Sequence, residues 1–291
     1  MAGKKRSVAL AIKNNNFIER SIFNALSFFK ESIFSEEYAS GDGFLQSIDP
    51  RIKTVTFAFF LITALLIKSI PLLTGLYLFC LLLASFSKID FLFFLKRTWV
   101  FMPIFSLFIA IPALFHTLTP GEPLFIFKLF GLKLVITQPG LSSAVLFVTR
   151  VITSVSFVVL LGLVTKHTVL FKVLRIFRIP QIFVITLSMC YRYIYLFVEI
   201  VENTYLAIKS RVGGKVYYGR GQSIVAWKIA SLWQRSLQLN EEVYNAMLSR
   251  GYRGEPYVLD DFKINFKDWA WLFYAVIISS LMVYLSHMAG V

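Results

Sequence analysis

The chain has 291 residues, 57% of them hydrophobic and only 16% charged, with a mean hydropathy of +0.69. A soluble domain carries about a quarter charged residues, so this composition excludes an ordinary globular domain and points to an all-α, polytopic integral membrane protein. The net charge of +14 is spread over loops and ends, where it reads as topology and lipid-headgroup contact rather than nucleic-acid binding.

The basic N-terminus, with Lys4, Lys5, Arg6 and Lys13, is followed by no apolar signal-peptide core. Apolar residues recur at helical spacing over 17–34, where Asn16 and Glu19 form a capping box. Charges interrupt that run, so it predicts an amphipathic helix, interfacial or packed on the protein, and not a span. Residues 1–48 are therefore a cytoplasmic N-terminal segment. After the Ser40-Gly41-Asp42-Gly43 loop, Asp49-Pro50 opens the first span: Asp accepts from first-turn amides, and Pro lacks the amide that would be orphaned.

Five spans are predicted, over 52–67, 72–86, 98–115, 140–164 and 269–287. Between the third and fourth, LFIFKLFGLKLVIT is too short to span and reads as a small hairpin or re-entrant element. The domains follow as transmembrane helices 1–4 over 49–165, a cytoplasmic insert over 166–268 and a final helix over 269–291. The Lys and Arg excess before the first span, between the second and third, and after the fourth places all three regions inside. The N-terminus is then cytoplasmic and the C-terminus extracytoplasmic. The apolar stretch 181–198 is rejected as a span, because crossing there would export Lys209, Arg211, Lys215 and Arg220 and bury Arg192 in lipid.

Within the insert, 168–179 is a short amphipathic helix ended before Pro180. A long helix follows to about Lys209, stopped by Gly213-Gly214, and a second runs over 223–250, stopped by Gly251. Both finish alike, in Ser210-Arg211-Val212-Gly213 and Ser249-Arg250-Gly251. Each end is consistent with a simple C-cap, since an Arg suits the helix dipole and a Gly the left-handed position. Two such ends on an insert built of amphipathic helices also suit a shared partner surface.

The chain resembles the transmembrane T component of energy-coupling factor transporters, in particular the cobalt/nickel-type Q subunit. The residues that carry the resemblance are Phe34-Ser35-Glu36-Glu37-Tyr38, Ile48-Asp49-Pro50-Arg51-Ile52-Lys53, Tyr191-Arg192-Tyr193-Ile194, Glu199 and Glu202, Ser210-Arg211 and Ser249-Arg250-Gly251-Tyr252. The resemblance implies a non-catalytic coupling subunit in a bacterial inner (cytoplasmic) membrane. Its insert would dock two ABC-type ATPase subunits, and its membrane part would hold a substrate-binding S component. Carried over, Arg211 and Arg250 are the ATPase contacts, with Ser210, Ser249 and Gly251 beside them. Where that family's first motif reads Ala-Arg-Gly, this chain has Ser-Arg-Val.

The remaining chemistry is sparse. There is no Walker A motif, so ATP would be bound by the partner ATPases and this chain needs no cofactor. No predicted span contains Asp or Glu, and no His or Cys stands at metal-ligand spacing, which implies that cobalt or nickel is held by another subunit. Cys80 and Cys190 read as buried thiols. One charge lies within a span: Arg150, which at mid-bilayer costs about 2.5–3.5 kcal/mol and is expected to bond carbonyls and hydroxyls of neighbouring spans, to snorkel, or to meet a partner membrane subunit. The competing function is a stand-alone permease with a regulatory insert.

Overall fold

The computed structural model describes residues 38–41, 43–99, 102–114, 123–129, 132–175, 177–212, 218–254 and 265–289. The helix expected over 17–34, the Gly213-Gly214 stop and most of the Phe34–Tyr38 motif lie outside them. The fold is helical, with one small β-hairpin. In chain order the elements are α1 (Pro50–Leu66), α2 (Ile70–Phe86), α3 (Phe91–Trp99), α4 (Met102–Ala110), a 3-10 turn (Ile111–Leu114), β1 (Pro123–Leu129), β2 (Leu132–Thr137), α5 (Gln138–Val164), α6 (His167–Leu174), α7 (Gln181–Val212), α8 (Tyr218–Ser249) and α9 (Phe266–Ala289).

Local chemistry sets several of these boundaries. Asp49 caps α1 by accepting the Arg51 amide at 2.8 Å, with Pro50 in the first turn. Thr137 caps α5 by accepting the Gly140 amide at 3.3 Å, again with a Pro in the first turn. Over the expected third span, 98–115, helix begins earlier, at Phe91, and is described as α3 and α4 on either side of residues 100 and 101, followed by the 3-10 turn. The segment between the third and fourth spans is an antiparallel hairpin in which Ile126 pairs with Val135 and Lys128 with Lys133.

The chain's contacts divide into two units, the described residues of 35–178 and 260–291, and those of 179–259. In the first unit α5 is the hub, packed on α1, α2 and α4, while α9 packs on α1. The core is aromatic: the Phe60 ring stacks on Phe157 with centroids 5.2 Å apart, and Phe57 meets the same ring edge-on at 6.0 Å. Leu73, Leu76, Cys80, Leu160 and Ala275 close around them with no exposed surface. Three hydroxyls inside the bundle bond along their own helices: Thr63 donates to Phe59, Thr153 to Thr149 and Ser156 to Ile152, all within 2.8 Å. The outside is as apolar as the inside, with Leu65, Leu82, Phe86, Leu92, Phe108 and Phe273 all exposed. A soluble surface would not carry such a continuous patch, whereas a bilayer solvates it.

The segment before α1 folds back under α2. Gln46 donates from Nε2 to the carbonyls of Tyr38 and Ser87, each at 3.1 Å. Gly43 lets the chain come close enough for this, since a Cβ there would stand 2.6 Å from the Ser87 carbonyl oxygen. The helices α1 and α9 run parallel. Their starts are tied by the Asp49 amide donating to Asp268, at 3.1 Å, and their ends by the Lys68 amide donating to Ser286 Oγ, at 3.0 Å.

In the second unit α7 and α8 are 32-residue helices. The second begins at Tyr218, five residues before its expected start. The stretch Gln181–Thr204 of α7 is long and apolar enough to cross a membrane, as are α5 and Phe266–Met288 of α9. Cys190 is exposed, not buried as expected, because it lies on a face of α7 that no described element covers; Cys80 is buried.

Candidate functional site

The two helix ends singled out in the sequence are both open to solvent. Arg211 is the penultimate residue of α7 and is exposed. The Ser210 hydroxyl is turned back along the helix, donating to the Ala207 carbonyl at 2.9 Å. At the end of α8, Ser249 does the same to Asn245, at 2.9 Å. Beyond it the chain closes in a Schellman motif. The Gly251 amide donates to the Leu248 carbonyl at 2.9 Å, and the Tyr252 amide reaches over it to Met247 at 3.0 Å. Gly251 takes φ +81°, the left-handed conformation this motif needs. The main chain therefore satisfies the last carbonyls of α8 by itself, and the exposed Arg250 side chain is not used to do it.

A stripe of apolar side chains leads into this end. Trp233, Leu237, Tyr244 and Leu248 share one face of α8 by their spacing, and all are about half exposed or more, up to 69% for Trp233. Trp227 is also exposed, at 66%. On α7 the Tyr195 hydroxyl donates to that of Tyr191 at 2.6 Å, with the rings edge to face at 5.0 Å. Leu196, Phe197 and Ile200 of α7 and Arg235, Gln238 and Glu242 of α8 line a cleft of about 660 Å³ between the two helices. The cleft is amphipathic, with its apolar wall on one helix and its polar wall on the other.

Arg150 lies midway along α5 and is half-buried. Its Nη2 donates at 2.8 Å to the carbonyl of Ile67, the C-cap residue of α1. A guanidinium there answers the negative end of the α1 dipole and fills a carbonyl that the helix cannot use. This is a carbonyl bond to a neighbouring span. Arg150→Met should strand that carbonyl in an apolar setting and lower stability by about 1.5–3 kcal/mol, the contribution of a hydrogen bond to a charged group. Thermal denaturation in detergent measures this, and an unchanged midpoint would show that the bond contributes nothing.

The sequence reading missed a buried charged group. It placed Asp268 just outside the last span, whereas α9 begins at Phe266 and holds Asp268 in its first turn. The expectation that no span contains an acidic residue is therefore corrected. Asp268 is buried because its carboxylate serves two helix starts at once. Oδ2 accepts from the Asn265 amide at 2.8 Å, and Oδ1 accepts from the Asp49 amide at 3.1 Å. The first bond has a local signal, an acid three residues after an Asn cap. The second joins residues 219 apart in sequence and has none. Among the described residues no group of three or more His, Cys, Asp or Glu side chains could hold a metal ion.

Residues 42–258 match the family described as cobalt transport protein, CbiQ. The chain is 35% identical over 270 residues to an uncharacterized protein of Methanocaldococcus jannaschii, covering 93% of this chain and 92% of that one. A second uncharacterized protein of the same organism is 26% identical over 219 residues, covering 72% of this chain and 78% of the relative. The family match spans both long helices and all but the last of the membrane helices, so this chain belongs to the CbiQ family of cobalt transport proteins and is a membrane component of a transporter.

Proposed function

We propose that the chain is the transmembrane coupling subunit of an ECF-type ABC transporter. It passes the ATP-driven closure of two ATPase subunits to a substrate-binding S component in the uptake of cobalt or nickel. The observation that carries this reading is the end of α8, where an exposed apolar stripe runs into an exposed arginine whose helix the main chain has already capped. Such a stripe needs a protein surface to cover it, and the guanidinium is left to pair with an acidic partner. The absence of a Walker A motif from the sequence is in keeping with ATP bound by other subunits, and transport chemistry at the metal would then belong to the S component. The test is purification of the tagged chain from its native membranes. Recovery of ABC ATPases in stable association is the expected result. Cobalt uptake by the chain alone in liposomes would overturn it and favour a self-sufficient permease.

The same reading sets the topology in the cytoplasmic membrane, N-terminus inside and C-terminus outside. The parallel course of α1 and α9 supports it. If α1 crosses outward and α9 does the same, the intervening chain makes a net return. Three crossings supply this: α2, the α3–α4 pair and α5. A fourth by Gln181–Thr204 would reverse α9 unless α8 crossed back, and α8 carries Arg220, Lys228, Arg235, Glu241 and Glu242 along its length. The segment after α7 should therefore be shielded in intact cells. A cysteine placed at Lys215 should resist membrane-impermeant thiol reagents until the membrane is opened, in a chain whose Cys190 has been replaced by serine. Labelling in intact cells would sink this topology.

A further inference from the structure

The seam between α1 and α9 changes character along its length. Near its start the buried Trp271 indole stands between the helices, its Nε1 donating to Thr56 Oγ1 at 3.3 Å. Further along that face of α9 the residues are Ala275, Ser279 and Ser286, all buried and all small. Beside them the two helices leave a groove of about 630 Å³. Its walls are Phe59, Ile62 and Leu66 of α1 and Val283, Tyr284 and Met288 of α9, with Ser279 and Ser280 at the end nearer Trp271. Phe59, Ile62, Leu66, Tyr284 and Met288 are exposed, so the groove opens on the surface that the bilayer covers.

Its length and its charge limit what fits. From Ser279 to Met288 the groove runs about 14 Å at an ordinary helical rise, against about 15 Å for half of the hydrocarbon layer. It is therefore one leaflet deep. A partner helix crossing the membrane would need a seat through both leaflets, whereas an acyl chain needs one. The groove runs out at the C-terminal ends of both helices, where His287 lines it. Lys68 stands at the same level, since its amide donates at 3.0 Å to the hydroxyl of Ser286, the neighbour of His287. Both side chains are exposed. No acidic residue lies in α1, and none follows Asp268 in α9. An ammonium and an imidazole at the mouth of an apolar slot one leaflet deep match an anionic headgroup above an acyl chain.

We propose that this groove is a binding site for one anionic phospholipid. An acyl chain lies between α1 and α9, and the phosphate meets Lys68 and His287 in the leaflet at the C-terminal ends of the two helices. The site requires only that both helices span the membrane, and it stands apart from the coupling role. The test reconstitutes the full chain into phosphatidylcholine vesicles with a minor fraction of phosphatidylglycerol that carries a photoactivatable group in its acyl chain. After irradiation the labelled peptides are mapped. Label should concentrate on 59–66 and 279–288, well above the exposed Leu78 and Leu82 of α2. Lys68→Gln/His287→Gln should lower it at least about fivefold, the loss of one cation–headgroup attraction. Ser280→Phe, at an exposed position, should do the same by filling the groove. With the same label carried on phosphatidylcholine, the unaltered chain should show no excess over α2. Equal labelling of groove and α2 by phosphatidylglycerol, or an excess that survives in Lys68→Gln/His287→Gln, would overturn the proposal. So would a groove shielded from label in the purified transporter complex while a cysteine placed at Ile62 cross-links to another subunit, which would make it a seat for a protein helix.

Discussion

Replacing both Arg211 and Arg250 by alanine should abolish cobalt uptake while the membrane unit still inserts and folds. Both guanidiniums are exposed, and neither is bonded to the core of the membrane unit, so their removal leaves no buried partner stranded within the chain. At Arg250 the point is sharper. The α8 terminus is closed by the amides of Gly251 and Tyr252, so alanine would keep the cap and lose only what the side chain does beyond it. If each arginine forms a forked bond to a carboxylate of an ATPase, it contributes about 1.5–3 kcal/mol, or roughly 10- to 150-fold in association. Lysine should rescue poorly, because an ammonium cannot reproduce the planar fork. A residue that served only the helix dipole would be replaced well by lysine. The measurement is uptake with ATPase recovery for the Ala and Lys variants. Wild-type values for the double Ala variant would leave the arginines as ordinary helix ends.

Asp268→Ala alone should be among the most damaging single changes in the membrane unit, at about 2–6 kcal/mol, from about 1–3 kcal/mol for each of two buried amides left without an acceptor. The carboxylate accepts two amides, so alanine strands both at once. Asp268→Asn should be closer to wild type in stability, because an amide oxygen remains to accept the Asp49 amide. Asn being milder than Ala is the signature that the lost acceptor, and not the lost charge, carries the effect. Denaturation of the purified variants in detergent reads it. An Asp268→Ala protein as stable as wild type would show that the carboxylate is not held as the structure places it.

How much could be read from sequence depended on how local the determining chemistry is. The starts of α1 and α5 were legible because cap and proline sit side by side at Asp49-Pro50 and Thr137-Gln138-Pro139. The hairpin was legible as two β-prone runs split around Gly131. The third span was set to start too late: helix already begins at Phe91, and Lys96 and Arg97 interrupt the hydropathy of that stretch without ending its helix. The arginines at 211 and 250 were legible as helix-end residues, and the exposed stripe of α8 as an amphipathic face. The carbonyl that Arg150 would find was not, since Ile67 becomes its neighbour only through the packing of α1 on α5. Asp268 was hidden most deeply. An acid at the edge of an apolar run looks like the membrane boundary, and only the meeting of two helix starts reveals that it is inside.

The lengths of the first two helices bear on the lipid around them. Helices α1 and α2 have 17 residues each, about 25 Å at an ordinary helical rise, against a hydrocarbon layer of about 30 Å. The 27-residue α5 beside them is longer than the layer is thick and must tilt. Where the bilayer thins to meet the short helices, one side of the bundle draws the two leaflets toward each other while its centre does not. The elastic cost of that dimple falls on the bilayer and is least in thin membranes. A second membrane protein with equally short helices would share the deformation instead of creating another, so the two would be drawn together by the lipid before any side chain of one touched the other.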